Sequence, residues 1–227
     1  MWTAVIEKAF AKYHGNYKHI VAGDPGFAVR TMTGAPVDLY IHKSEDVNAP
    51  LLWEKLVAHD KNKDIITCAS PAGSDKTTST SGLVQGHAFT LLSTHATSKG
   101  DKLVKIRNPH GKEKYVGTWS DKDPRWTPEL LKELNHSLGL SDGVFFMDID
   151  TYLAEFSTTR INFNTDGWGN DYHLQLNDTS TGKGKRSWCG KDCANHTITV
   201  RSEVAQDVYI TLNTWDPRSL PDSCKKI

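Results

Sequence analysis

The sequence has no excess of charge of either sign, no dense set of cysteines and no long apolar run. Its 227 residues include 27 Lys and Arg against 27 Asp and Glu, so charge gives no reason to expect nucleic acid or an anionic membrane as a partner. No apolar stretch approaches the roughly 20 residues of a transmembrane helix, and the N-terminal segment lacks the basic-then-apolar order of a signal peptide. We therefore expect a cytoplasmic protein with no transmembrane segment and no nucleic-acid partner.

The few cysteines are spread along the chain: Cys68, Cys189, Cys193 and Cys224. This spacing does not match the dense disulfide framework of a small secreted domain, so we interpret them as reduced thiols. Cys68 falls in the apolar run IITCAS, which predicts a buried structural thiol rather than a nucleophile. Cys189, Cys193 and His196 have metal-ligating side chains, but their unusual spacing and the lack of a fourth ligand favour a plain loop over a zinc site.

Apolar residues spaced three and four apart predict an amphipathic helix over residues 2–13 with one buried face. Because Trp2 lies so near the start, we expect this helix to pack onto an upstream segment of a longer protein. A second helix is predicted over residues 48–64, followed by the strand that contains Cys68. The polar residues 70–82, rich in Ser and Thr, are expected to form a mobile surface loop.

Two apolar, strand-forming runs flank a polar loop centred near Ser98. If they fold as an antiparallel hairpin, His87 lies opposite residues 108–110, where Asn108 is found. An amide oxygen at that distance accepts the imidazole N–H and leaves the other ring nitrogen to take a proton from a nucleophile. A neutral amide partner is typical of sites with a thiol nucleophile. The spacing also allows His87 to be an ordinary strand histidine and Asn108 a turn residue before Pro109.

Three segments carry a resemblance to a known family: GLVQGHAFTLL, KIRNPHGKEKYVGTWSD and DGVFFMDIDTYLAEFS. In this order and at these separations they resemble the second half of the calpain catalytic core, and AVIEKAFAKYHGNY resembles the helix that enters that half. The resemblance implies a papain-like cysteine endopeptidase built from two lobes. His87 matches the general base of the family and Asn108 its orienting asparagine.

In this family the nucleophilic cysteine and the oxyanion-hole glutamine belong to the first lobe. The resemblance therefore implies an upstream protease lobe as partner, protein substrates, and a chain that hydrolyses no peptide bond alone. One departure concerns the active-site neighbour His110, which stands where the family has a tryptophan that shields the His–Asn contact from water. A polar ring excludes water less well, so we expect a looser contact.

A second departure concerns calcium. Calcium-dependent relatives bind one ion in this lobe through ligands that map to Asp121, Asp142 and the backbone carbonyl of Leu140. The other two acidic positions map to Lys114 and Val144. Because Ca²⁺ requires six to eight oxygens and mostly carboxylate charge, an ammonium group in the ligand set opposes binding, although Glu113 offers partial compensation. We therefore expect no certain cofactor and at most a weak calcium site, with capping of turns as the alternative role of the two aspartates.

The predicted fold class is α+β. Residues 1–162 are expected to form a papain-like lobe with an antiparallel sheet or barrel and flanking helices, including a helix over 127–136 and a buried strand over 144–148. Residues 163–227 alternate like strands and resemble the start of the C2-like β-sandwich domain that follows the calpain core. Trp119 and Trp126 are interpreted as packing residues.

Three classes of function remain open on the sequence alone. The chain is the base-bearing half of a cysteine endopeptidase, a catalytically inactive calpain-like scaffold or binding module, or a β-sandwich interaction domain joined to an inert lobe. His87 and Asn108 favour the first class. His110 and Lys114 keep the second open.

Overall fold

The structure is a computed structural model that describes residues 1–74, 76–112, 115–140, 142–168, 201, 203–205 and 208–210. The chain divides into two units, and the described part of the first runs from Met1 to Asn164. In the second unit, over residues 165–212, the rings of Trp168 and Tyr209 stack with centroids 5.1 Å apart. Most of the predicted all-β segment lies outside the described residues, as do Cys189, Cys193 and His196.

Five α-helices and six strands make up the described part of the first unit. The helices are α1 Trp2–Tyr13, α2 Pro25–Thr33, α3 Ala49–Lys61, α4 Pro128–Glu133 and α5 Ile149–Glu155, with a 3₁₀ turn at Tyr17–Ile20. The strands are β1 Val37–Ile41, β2 Ile65–Ala69, β3 Ala88–Ala96, β4 Lys102–Arg107, β5 Val144–Asp148 and β6 Thr158–Asn162. The predicted mixture of helices and strands is confirmed.

Side-chain caps fix where the central helices begin. Asn48 accepts the Leu51 N–H at 3.0 Å at the start of α3, and Thr127 accepts an N–H in the first turn of α4. These oxygens pair with N–H groups that have no partner inside the helix. Helix α4 ends at Glu133, short of the predicted end, because Asn135 adopts a left-handed φ of 46° that does not continue a right-handed helix.

The strands form one antiparallel sheet in the order β1-β6-β2-β3-β4-β5. The predicted hairpin is its β3–β4 pair, in which Thr90 faces Arg107. The register then shifts between Leu91 and Ser93, so a bulge at Leu92 interrupts the ladder. Within the described residues β1 and β5 are the two edges, which makes this an open sheet rather than a barrel.

On β4 and β5 adjacent residues enter two different hydrophobic clusters, because successive side chains point to opposite faces of a sheet. Phe145 joins the larger cluster, which packs against α3 and α5. Its neighbour Phe146 joins a smaller cluster with Leu130 of α4 and with Trp119. The helices therefore cover both faces of the β4–β5 end of the sheet.

Helix α1 has the predicted bounds, and its apolar side chains are largely exposed within this chain. Among its residues Ala11 is buried, whereas Trp2 is 72% and Val5 64% exposed. The expected contact with an upstream segment stays a prediction. No helix within the described residues is long and apolar enough to span a membrane.

Candidate active site

His87 lies immediately before β3. The residue before it, Gly86, packs closely against the backbone of Gly73. Gly86 has a φ of +58°, and a Cβ atom there would lie 2.5 Å from the backbone oxygen of Gly73. Glycine is the residue that accepts both this conformation and this contact. The backbone at position 86 thus sets where His87 enters the sheet.

Asn108 immediately follows β4 and is 6% exposed. Its backbone N–H donates to the Gly143 carbonyl at 2.8 Å, and its side-chain Nδ2 donates to the Lys112 carbonyl at 3.1 Å. Gly143 has a φ of +80°, and a Cβ atom there would lie 2.6 Å from the Asn108 oxygen. The Lys112 carbonyl of the same loop therefore orients the side-chain amide, while Gly143, next to β5, holds the backbone of Asn108.

The structure brings these two side chains together. Nε2 of His87 lies 3.1 Å from Oδ1 of Asn108, and the same oxygen accepts the backbone N–H of His110 at 3.0 Å. Because an amide oxygen only accepts hydrogen bonds, Nε2 carries the hydrogen when the imidazole is neutral. Nδ1 is then the basic nitrogen of the ring. A histidine in this tautomer takes a proton at Nδ1 and leaves Nε2–H bonded to Asn108.

Two aromatic rings flank the His87 imidazole. The buried Phe89 meets it edge-on, with centroids 4.9 Å apart. The exposed His110 lies against it at 4.3 Å with the planes tilted by 43°. His110 therefore contacts the His87 ring from the solvent side, at the position for which the resemblance implies a shielding tryptophan.

Ser70 is a neighbour of His87 that the sequence reasoning missed. Its N–H donates to the His87 carbonyl at 3.0 Å, and its Oγ accepts the His87 N–H at 3.0 Å. The sequence reasoning counted Ser70 both as the last residue of the run IITCAS and as the first residue of the surface loop. A signal was available, since Ser70 ends the predicted strand run that contains Cys68.

Cys68 has the surroundings of a structural thiol, as predicted. It is 1% exposed in the central strand β2, and its Sγ lies 3.9 Å from the Phe89 carbonyl. Burial raises the pKa of this thiol well above its ordinary value, because the thiolate is disfavoured in an apolar environment. Cys68 is thus the opposite of an activated nucleophile.

Asp121 and Asp142, the two carboxylates considered for calcium, both accept hydrogen bonds from nearby groups. Asp121 accepts hydrogen bonds from Nε2 of His136 at 3.2 Å and from the Gly139 N–H. Asp142 accepts the Val144 N–H at 2.9 Å, which caps the start of β5. The two backbone N–H contacts fit turn capping, the alternative role of these aspartates.

The described residues contain no group of three or more acidic, histidine or cysteine side chains placed to hold a metal. Leu140 is 53% exposed, and positions 113 and 114 lie outside the described residues. The weak calcium site therefore stays a prediction.

Trp119 and Trp126 pack against each other with their ring centroids 5.2 Å apart, edge to face. Trp119 is 2% exposed, and Nε1 of Trp126 donates to the Ser120 carbonyl at 2.9 Å. Both belong with the smaller hydrophobic cluster. The predicted packing role of these tryptophans agrees with their positions.

A histidine held in one tautomer by a neutral amide is the arrangement that serves hydrolases with a thiol nucleophile. The model of the calpain family of cysteine proteases matches residues 1–162. This chain belongs to that family, as the sequence motifs predicted.

Several curated proteins are similar to this chain. The calpain-type cysteine protease DEK1 of Arabidopsis thaliana is 34% identical over 166 residues, covering 71% of this chain and 8% of that protein. Human calpain-14 is 34% identical over 161 residues, which is 68% of this chain and 22% of that protein. Mouse calpain-12 is 31% identical over 166 residues, which is 70% of this chain and 22% of that protein. The chain thus spans less than a quarter of the length of these relatives.

Proposed function

We propose that this chain is the base-bearing part of an intracellular cysteine endopeptidase, with His87 as general base and Asn108 as the residue that orients it. The observation that carries the proposal is the 3.1 Å contact between Nε2 of His87 and Oδ1 of Asn108. Family membership gives the reaction class, which is hydrolysis of peptide bonds in protein substrates.

The chemistry assigns each ring nitrogen of His87 one task. Nδ1 takes the proton from a cysteine thiol, and the imidazolium that forms keeps Nε2–H on the Asn108 oxygen. A neutral amide suffices because a thiol gives up its proton more readily than a serine hydroxyl. The thiolate then attacks the substrate carbonyl, the C–N bond breaks, and the imidazolium gives its proton to the leaving amine. Water hydrolyses the thioester that remains, which releases the carboxylic acid and restores the thiol.

The nucleophile is proposed to come from an upstream protease lobe. Cys68 does not qualify, since it is buried and its pKa is raised. A papain-like site also needs oxyanion donors, which the family carries in that first lobe. The lobe of residues 1–162, a C2-like domain over 163–227 and a cytoplasmic location complete the proposal. With Asp121 and Asp142 occupied by other contacts, the lobe is proposed to act without a bound calcium of its own.

One observation favours a second candidate, a catalytically inactive calpain-like scaffold or binding module. The ring beside the His–Asn contact is His110, which is exposed. A hydrogen bond between neutral groups is weaker where water competes for them. A protein that no longer needs a firmly held base tolerates such a replacement.

Peptide hydrolysis tests both candidates. Full-length protein that includes the upstream lobe should cleave casein, and His87→Ala should lower kcat by about 10²–10⁴-fold, the usual contribution of a positioned general base. His95→Ala is the matched control, because His95 lies on the same β3 but bonds to Ser93. This chain alone should give no turnover above its own His87→Ala variant.

The outcomes separate the candidates. Loss of activity in His87→Ala with retention in His95→Ala supports the protease. Full-length protein that is folded and inactive, with or without His87, supports the scaffold. Proteolysis by the isolated chain that does not depend on His87 contradicts the assignment of His87.

A further inference from the structure

Ser70, at the end of β2, holds the backbone of His87 on both sides of its Cα atom. The Ser70 N–H donates to the His87 carbonyl at 3.0 Å, and the His87 N–H donates to Ser70 Oγ at 3.0 Å. The same Oγ lies 3.1 Å from the His87 carbonyl. Ser70 is 5% exposed, so these bonds are shielded from water and contribute more than they would on the surface.

Ser70 is itself fixed from the opposite side. The hydroxyl of Ser157, between α5 and β6, lies 2.9 Å from the Ala69 carbonyl and 3.2 Å from the Ser70 carbonyl, and its one hydrogen is shared between them. The Ser157 N–H also donates to the Ala69 carbonyl at 2.8 Å. The residues adjacent to this pair are also bonded, since the Gly86 N–H donates to the Pro71 carbonyl at 2.8 Å. The end of β2 is therefore bound between β6 and the segment that carries His87.

Asn108 is anchored through a different set of groups. Its backbone bonds to Gly143, and its side-chain Nδ2 bonds to the Lys112 carbonyl. None of these contacts passes through Ser70 or through β2. The His–Asn contact is thus the meeting point of two separately anchored segments. A shift of either segment by a fraction of an ångström lengthens the bond between the two side chains.

We propose that Ser70 is a positioning residue for His87. It holds the backbone on both sides of His87, so that the imidazole keeps Nε2–H on Asn108 and Nδ1 remains the basic nitrogen. Without the Ser70 hydroxyl, the His87 N–H loses its acceptor and the ring samples orientations in which the other tautomer is populated. The consequence for catalysis rests on the proposed role of His87 as general base. The consequence for the tautomer does not.

The test is an NMR measurement on this chain. Ring nitrogens of ¹⁵N-labelled protein are observed at about pH 8, where an ordinary histidine is neutral, to give the tautomer and the exchange rate of the Nε2 hydrogen. Ser70→Ala should speed this exchange and increase the fraction of the other tautomer by roughly three- to tenfold, the factor that corresponds to one neutral hydrogen bond. Ser70→Cys keeps a weak donor and acceptor, so its exchange rate and tautomer fraction should lie between those of wild type and Ser70→Ala.

Ser93→Ala is the matched control. Ser93 Oγ lies 2.8 Å from Nε2 of His95, so this change removes a serine hydroxyl from a different histidine on β3. It should alter the His95 ring and leave His87 unchanged. Ser157→Ala removes the hydroxyl that contacts the Ala69 and Ser70 carbonyls. It should change the tautomer fraction and the Nε2 exchange rate of His87 in the same direction as Ser70→Ala, but by a smaller factor. Ser157→Ala and Ser70→Cys keep the question decidable if Ser70→Ala does not fold.

The proposal is overturned if the Ser70 variants are less stable but keep the wild-type tautomer and exchange rate of His87, since a merely structural serine gives that result. In active full-length protein, Ser70→Ala should lower kcat and leave KM unchanged. If His87→Ala leaves full-length activity intact, the proposed function fails, while the NMR result still decides the positioning role.

Discussion

The Nε2 atom of His42 lies 2.8 Å from Oγ1 of Thr159, and both residues are buried. Nδ1 of His42 lies 2.8 Å from the Phe156 carbonyl and must donate to it, so Nε2 accepts from the Thr159 hydroxyl when the ring is neutral. Oγ1 of Thr159 then accepts from the Tyr152 hydroxyl at 2.6 Å. Every polar atom in this chain of bonds is satisfied while His42 is neutral.

Folding stability should therefore decrease as the pH falls below about 6.5, the ordinary pKa of histidine. Burial lowers the pKa of His42 in the folded protein, so below that pH the unfolded chain takes up a proton before the folded chain does. The unfolded state then binds more protons, and stability falls with decreasing pH. Urea midpoints measured between pH 8 and pH 5, a range chosen around that value, report this directly.

His42→Gln should reduce this pH dependence without abolishing it. Burial also lowers the pKa of His95, which contributes separately, so His95→Gln serves as the comparison. If wild type and His42→Gln lose stability in parallel as the pH falls, the folded protein tolerates a charged His42 and the assignment of its tautomer is wrong.

Cys68 should resist thiol reagents in the folded protein. Its side chain is buried in β2 and its pKa is raised, and alkylation requires an accessible thiolate. Mass spectrometry of the peptide that carries Cys68 should show no iodoacetamide adduct under native conditions and complete modification in urea. Rapid native modification would mean that β2 opens readily or that Cys68 is not buried.

Elements that depend on residues close together in the sequence could be predicted from it. The bounds of α1 follow from its apolar spacing, and the β3–β4 hairpin follows from the polar loop near Ser98. Counting outward from that loop already placed His87 near Asn108. The capping signals of α2 were present too, since Asp24 accepts the Phe27 N–H at 3.2 Å, but that helix was not predicted.

Contacts between distant segments could not be predicted in this way. β1 pairs with β6, so that Val37 faces Asn162, and no local pattern in either strand specifies the other. The contact of Ser70 with His87 requires β2 to lie beside β3, which periodicity does not reveal. The pairing of Asp121 with His136 likewise depends on tertiary structure.

Millimolar Ca²⁺ should leave the melting temperature of this chain nearly unchanged. Both oxygens of Asp121 accept hydrogen bonds, and Asp142 caps β5, so binding an ion would break existing contacts. A site occupied at a hundred times its Kd would add about 2.7 kcal/mol. Thermal unfolding with Ca²⁺, with Mg²⁺ as the control, measures the effect.

Asp121→Asn should behave like wild type in this calcium titration. It should also be less stable by about 1 kcal/mol, because a charged acceptor is replaced by a neutral one. A calcium-induced rise of several degrees that disappears in Asp121→Asn would show that a binding site forms after all.

Replacing His110 by tryptophan should tighten the His87–Asn108 contact. The His110 ring is exposed and lies 4.3 Å from the His87 ring, and an indole in its place covers more of the bond from water, which strengthens it. The backbone N–H of residue 110 still donates to Asn108, so the change acts through the side chain. Hydrogen exchange at Nε2 of His87 should slow by roughly three- to tenfold, the factor that corresponds to the net free energy of one neutral hydrogen bond.

His110→Ala is the opposite change, because it uncovers the same bond. Exchange at Nε2 should be fastest in the alanine variant, intermediate in wild type and slowest in the tryptophan variant. In active full-length protein kcat should follow the reverse order, since a base held in one tautomer is ready to accept the thiol proton in a larger fraction of encounters. Identical exchange rates in all three proteins would show that shielding by residue 110 does not control the contact, and the weakened-base argument for a scaffold would lose its support.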